Sequence, residues 1–389
     1  MIVAGIMSGT SADGIDVALV RVLGRGLNIR LHLLAHEHRD YPPAVRRAVL
    51  AAMNAASASV ADLARLNIRL GELYAEAVAY TLKQHAGIKP ELIGCHGQTI
   101  YHQGEAREYL GSKITTTWQT GESAVIAARF RLPVVSDFRP ADMAAGGKGA
   151  PLVPFLDYVF YRHGHRMRVL QNLGGIGNFS VIPAAAKPDQ VVAFDTGPGN
   201  MVIDACTERL FHQPYDRDGN YAARGKIVES ALTAALRHPF FRRKPPETAG
   251  REEFGREFVS QFLRSFGRRT KKEDIIATAT ALTARSIGIA LRQVLESSSA
   301  KKVPSKGSGD YIVAGGGAHN QTLREMLRLE VEPLGFKMTT SDKFGLPAEA
   351  KEAVAFALLA YQTWHRQPGN LPSATGASRP AILGNITYV

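Results

Sequence analysis

Short apolar runs alternate with stripes of 3.6-residue period along most of this chain. Met1 to Met7 is apolar throughout apart from one glycine, the mark of a strand buried on both faces. Gly14 to Val22 and Leu27 to His36 predict two more strands, and the small polar residues Ser8 to Asp13 form a turn between the first two. The chain is therefore expected to open on a β-hairpin. Apolar positions then recur at helical spacing over Pro43 to Ala52 and Val60 to His85, with Gly87 as the expected C-cap before a strand at Leu92 to His96.

From Val134 the pattern restarts. Val169 to Asn172 and Ser180 to Ile182 predict a second strand pair around Gly174, Gly175 and Gly177, and Val191 to Asp195 predicts a third strand. A long helical tract follows over Met201 to Glu296, interrupted near Pro239 to Pro246 and at Gly267, and then a strand at Tyr311 to Ala314. Lys301 to Gly309 has the composition of an exposed loop. The last helix, Ala348 to His365, stops before Pro368 and Gly369, and the final twenty residues have the character of a returning tail. Hairpin followed by helices, twice over, predicts an α/β chain of two related lobes. No Gly-x-Gly-x-x-Gly opens a helix after the first strand, which argues against a dinucleotide-binding Rossmann unit.

Composition sharpens this picture only in part. A chain of 389 residues is longer than one core ordinarily organises, so two lobes with a binding cleft between them are expected. With 45% hydrophobic and 21% charged residues, disorder and collagen-like repeats are excluded. The net charge of +12 admits nucleic acid, a membrane surface or small anions as partners. Its distribution favours the last: Arg242 to Lys244 and Arg268 to Lys272 lack the aromatic interleaving of a nucleic-acid reader. Two distant cysteines in apolar segments, Cys95 and Cys206, and an N-terminus without a charged leader region predict a cytoplasmic protein.

Four glycine-framed turns carry candidate chemistry. Gly9, Thr10, Ser11, Asp13, Gly14 and Asp16 supply backbone N–H groups and hydroxyls suited to phosphate, and Asp13 a carboxylate suited to Mg²⁺. Gly174, Gly175 and Asn178 stand at the corresponding turn of the second half. Gly315, Gly316 and Gly317 follow a strand, where a nucleotide can lie against bare backbone. Asp195 ends an apolar strand before Gly197, Gly199 and Asn200. Asn200 is the expected N-cap of the next helix, which leaves Asp195 available as a general base. His96 and Gln98, together with Arg139 and Asp142, form the dense hydrogen-bonding clusters that sugars require. No zinc spacing and no Gly-x-Ser-x-Gly elbow is present, so metallohydrolase and serine-hydrolase chemistry are disfavoured.

Taken in order, Met7 to Asp16, Cys95 to Thr99, Ser136 to Arg139, Gly146 to Val153, Asn172 to Asn178, Phe194 to Asn200 and Ala314 to Ala318 resemble the motifs of the anhydro-N-acetylmuramic acid kinase family. The resemblance implies an α/β fold of two actin-like (ribonuclease H-like) lobes, with mixed sheets flanked by helices and a cleft between them. Residues 1–130 plus 375–389 would form one lobe, and 131–374, with a helical insertion, the other. It implies ATP and Mg²⁺, and a reaction in which water opens the 1,6-anhydro bridge while O6 receives the γ-phosphoryl group. Asp195 matches the catalytic base, Gly9 to Asp16 the ATP-phosphate segment, and Glu352 a carboxylate of the sugar site, on a helix that reads as amphipathic. Gly197 and Asn200 join His96, Gln98, Arg139 and Asp142 as sugar contacts, and a homodimer without membrane or nucleic-acid partners is implied. Pro140 and Ala141 stand where some relatives carry a further arginine. That departure leaves Arg139 or Lys148 to make the contact, or a simpler anhydrosugar such as levoglucosan as the substrate. A nucleotide-binding sensor without an acceptor is the alternative from a different class.

Overall fold

The computed structural model describes residues 1–243, 249–297 and 304–389. Lys244, the end of the Pro239 to Pro246 interruption and the start of the Lys301 to Gly309 loop lie outside the described residues. The chain divides into unit 1, Met1–Phe160 with Glu349–Val389, and unit 2, Tyr161–Ala348.

Unit 1 opens on β1 (Ile2–Met7), β2 (Gly14–Leu23) and β3 (Arg30–Asp40), an antiparallel series as the apolar runs predict. The helix Val60–Gln84 buries Leu70, Leu73, Tyr74, Ala77, Val78 and Thr81, one stripe at helical spacing, and Ser59 caps it by accepting from the Asp62 N–H. His85, not Gly87, is its C-cap; Gly87 follows two residues later at φ +99°. The chain continues through β4 (Leu92–Cys95), a two-stranded sheet of β5 (Gln98–Tyr109) and β6 (Ser112–Thr120), and β7 (Val134–Ser136).

Unit 2 contains β8 (Arg168–Leu173), β9 (Ile176–Ile182), β10 (Val192–Pro198), β11 (Gly309–Ala314) and β12 (Phe336–Thr340). Its sheet order, β10-β9-β8-β11-β12, repeats the β3-β2-β1-β4-β7 order of unit 1. In both, the first three strands are antiparallel neighbours and the last two join in parallel. This is the mixed ribonuclease H-like sheet expected twice. The restart falls at Arg168 rather than Val134, because Val134 and Val135 pair in parallel with Ile93 and Gly94 and complete the first sheet. The tail adds a sixth strand, β13 (Asn385–Thr387), antiparallel to β7. Unit 1 thus keeps residues 131–160 and 349–374, which the expected boundaries gave to the other lobe.

Each unit has its own core. The helix Lys272–Ser297 is long and apolar enough to cross a membrane, but 83% of its apolar window is buried in unit 2, as befits a core helix. The helix Lys351–Trp364 is buried nearly all round rather than amphipathic. It lies directly on β1: a Cβ on Gly5 would run into the Ala353 carbonyl and stand 2.7 Å from the Ala357 nitrogen, so only glycine admits this approach. That contact fixes where the first turn of the helix, with Glu352, emerges.

Candidate active site

In unit 1 the carboxyl ends of the parallel strands β1, β4 and β7 deliver the expected residues, the end of a sheet at which open α/β folds bind ligands. After β1, Asp13 Oδ1 accepts from the Ser11 hydroxyl and the Gly14 N–H, both at 2.9 Å, and Thr10 and Ser11 are exposed. Asp16 Oδ1 meets His36 Nε2 and His38 Nδ1, each at 3.0 Å. Gln98 is fully buried; its amide donates to the Gly9 carbonyl at 3.0 Å and braces the turn from beneath.

After β4, His96 is buried and accepts at Nε2 from Arg139 Nε, 3.1 Å away. Arg139 sits in the first turn of the helix Phe138–Ala144, which follows β7. Burial brings the Arg139 pKa down to about 10, against the opposing pull of Glu352. Glu352 is open to solvent yet densely surrounded, and burial raises its carboxyl above the usual range. Lys351 and Arg139 work against that shift, and Asp16 and Asp13 add to it, so these groups act on one another within unit 1.

Asp142 is corrected by the structure. It is fully buried: Oδ1 accepts from Asn370 at 2.6 Å and Thr375 at 2.7 Å, and Oδ2 from the Gly149 N–H at 2.8 Å. Both oxygens are thereby committed to holding the glycine-rich segment to the tail, not left open as a sugar contact would need. Lys148 forms an ion pair with Glu105 at 2.6 Å.

In unit 2 the glycine turns converge. Gly199 N–H donates to the Gly175 carbonyl at 2.9 Å and Asn200 N–H to the Gly174 carbonyl at 2.8 Å. A Cβ on Gly199 would collide with the Gly174 carbonyl, so these two segments cross backbone to backbone. Gly315 and Gly317 pass against Leu173, Asn172 and Asn200. Asn200 holds the N-cap position of the helix Met201–Phe211, but its side chain makes no cap and donates instead to the Leu173 carbonyl at 3.1 Å.

Asp195 faces Asn178 in register, beside a bulge between Asp195 and Gly197, the kind of irregularity that re-aims a side chain. It is not the uncommitted carboxylate expected: Oδ2 accepts from the Ala249 N–H at 2.7 Å. A cavity of ≈ 20 Å³ lies between Asp195 and the helix Lys272–Ser297, about one water in size.

Sequence reasoning missed two braces. Gln171, fully buried, donates to the carbonyls of Asn172 and Asn178 at 3.0 Å and accepts from Tyr311 at 2.9 Å, propping the turn of Gly174, Gly175 and Gly177 from inside. Lys351 pairs with the buried Asp157 at 2.6 Å, anchoring the residue next to Glu352. Neither carries a local signal; the Gln171 and Tyr311 partners are 140 residues apart.

No cluster of three His, Cys, Asp or Glu side chains suited to a metal occurs among the described residues. The exposed Asp13 carboxylate with the Ser11 hydroxyl beside it is a hard oxygen donor set, which fits Mg²⁺ held through one carboxylate and substrate phosphates rather than in a protein cage.

Two mixed sheets of one strand order, with small-residue turns at strand carboxyl ends, are the duplicated α/β frame, and the class of enzyme it carries, a phosphotransferase acting on a sugar hydroxyl, is given by the family match. Across residues 1–389 the chain matches the anhydro-N-acetylmuramic acid kinase family, and it belongs to that family. A relative of that name from Bacillus cereus (strain AH187) is 44% identical, with 100% of this chain and 99% of that one aligned. Another, from Bacillus thuringiensis subsp. konkukian (strain 97-27), is 43% identical over the same shares. Among solved structures, a ROK family glucokinase from Streptomyces griseus in complex with glucose and AMPPNP aligns at TM-score 0.41 and 14% identity, covering 93% of this chain and 100% of that one.

Proposed function

We propose that this chain is an ATP-dependent anhydro-N-acetylmuramic acid kinase that couples hydrolytic opening of the 1,6-anhydro ring to phosphorylation of O6. The product is N-acetylmuramic acid 6-phosphate, recovered from cell-wall material. The family match over the whole of residues 1–389 carries this reading.

Asp195 takes a proton from the water that attacks the anomeric carbon; the bond from that carbon to O6 breaks, and O6 receives the γ-phosphoryl group of ATP. The N–H of Ala249 holds the Asp195 carboxylate in orientation for that transfer. Thr10, Ser11 and the backbone of Gly9 to Asp16 receive phosphate oxygens, and the bare backbones at Gly174, Gly175 and Gly315 to Gly317 receive the nucleotide, with Asn178 beside them. Asp13 holds Mg²⁺, which supplies neutralisation of charge on the phosphates. Arg139, His96, Glu352, Gly197 and Asn200 serve the sugar, and Gln98 acts from beneath the phosphate turn. The protein works as a cytoplasmic homodimer; its two cysteines, both free and buried, suit a reducing compartment.

Mass spectrometry of the product tests this, after incubation with Mg²⁺-ATP, ¹⁸O-water and either 1,6-anhydro-N-acetylmuramic acid or levoglucosan. We expect label in ring-opened N-acetylmuramic acid 6-phosphate. Turnover of levoglucosan alone would overturn the substrate, and saturable ATP binding without any product would overturn the enzyme.

A further inference from the structure

His96 has both ring nitrogens committed, to partners of different kinds. Nδ1 lies 2.7 Å from the Gly97 carbonyl oxygen, which can only accept, so the ring proton resides on Nδ1. Nε2 is thereby an acceptor, and it takes the Nε–H of Arg139 at 3.1 Å. The ring also rests on Phe356, with centroids 4.4 Å apart, one helical turn beyond Glu352. One buried side chain therefore touches Arg139 and the helix that carries Glu352.

The imidazole stays neutral in this setting. Burial, and after it the charge of Arg139, push its pKa well below the ordinary value, while the Gly97 carbonyl opposes and His102 adds a small push downward. His102 is itself lowered to about 4, by burial first and Arg139 second. A carboxylate in this position would have oriented Arg139 equally well but cancelled its charge. A neutral acceptor orients the guanidinium and leaves the positive charge whole.

We infer that His96 is a positioning residue: it spends the Nε–H of Arg139 inward and so presents the two terminal NH₂ groups, beside Glu352, to an anionic substituent of the sugar. The inference rests on the proposal that Arg139 contacts the sugar.

The test combines steady-state kinetics with ¹⁵N NMR of the arginine Nε–H on the full chain, comparing wild type, H96Q, H96F, R139A and H96F/R139A. We expect R139A to raise the sugar KM about a hundredfold and H96F about tenfold, the loss falling on sugar KM rather than on kcat or ATP KM. H96Q, whose amide oxygen can accept, should recover most of the loss, and the double variant should be no worse than R139A. The Arg139 Nε–H should exchange slowly in wild type and H96Q and freely in H96F. Additive losses in the double variant, or an Nε–H still protected in H96F, overturn the positioning role. An unchanged sugar KM in R139A overturns the assignment of Arg139 to the sugar, and the NMR signal then still reports whether His96 sets the guanidinium.

Discussion

At the carboxyl ends of β1, β4 and β7, unit 1 presents side chains: Asp13, His96 and Arg139, with Glu352 on the helix laid across β1. At the carboxyl ends of β8 and β11, unit 2 presents almost bare backbone, Gly174, Gly175 and Gly315 to Gly317, and adds a single carboxylate, Asp195, at a bulge. One strand order thus supports two ways of building a polar surface. Side chains can be exchanged at a cost in binding while the fold persists. Crossed backbones cannot, because the close approach that leaves them bare also holds the segments together.

The largest expected effect comes from the carboxylate at that bulge. Asp195→Asn should lower kcat by about a thousandfold, the usual scale of a lost general base, with an unchanged melting temperature; retained turnover removes Asp195 from the mechanism. Gly199→Ala strikes the backbone crossing itself, where a new methyl meets the Gly174 carbonyl. It should destabilise unit 2 by about 3 kcal/mol, read by denaturant unfolding, and a fully stable variant would break the contrast drawn above. Glu352→Gln tests the other side: a rise of about tenfold in sugar KM without loss of stability fits a surface made of side chains, whereas a stability loss would make Glu352 a structural group.

The smallest effect concerns Asp204, on the helix Met201–Phe211. Burial, and then the charge of Asp216, raise its pKa to about 7. A raised folded pKa contributes stability that is complete below the ordinary carboxylate range and is lost as pH rises through about 7. Asp204→Asn should therefore stabilise the protein at pH 8 by roughly 1 kcal/mol, allowing for solvent screening of a half-exposed group. It should also flatten the fall in melting temperature between pH 4 and 8; an unchanged profile would show that neither burial nor Asp216 makes the ionised Asp204 costly to the fold.

Periodicity made the frame of the molecule legible. The apolar run at Ile2–Met7 and the stripe through Val60–Gln84 appear as the strand and helix their patterns predict, whereas the meeting of the glycine turns of unit 2 is visible only in the fold. The β5–β6 sheet escaped, since its polar, half-exposed residues carry no apolar alternation. The helix Lys351–Trp364 departs from the amphipathic expectation because Ala353 to Tyr361 is apolar at every position, the composition of a helix buried all round rather than of a stripe.

Sequence by itself determined the class of element wherever apolar spacing is regular, the ordered motifs and through them the family, since these depend on local spacing and residue type. Only tertiary structure decided which polar groups stay available. Asp142 and Arg139 belong to one helix; Asp142 is closed off by Asn370 and Thr375, 228 and 233 residues away, while Arg139 donates its Nε–H to His96, 43 residues away. Hydrogen-bond commitment depends on partners brought from distant segments, and no local pattern encodes them.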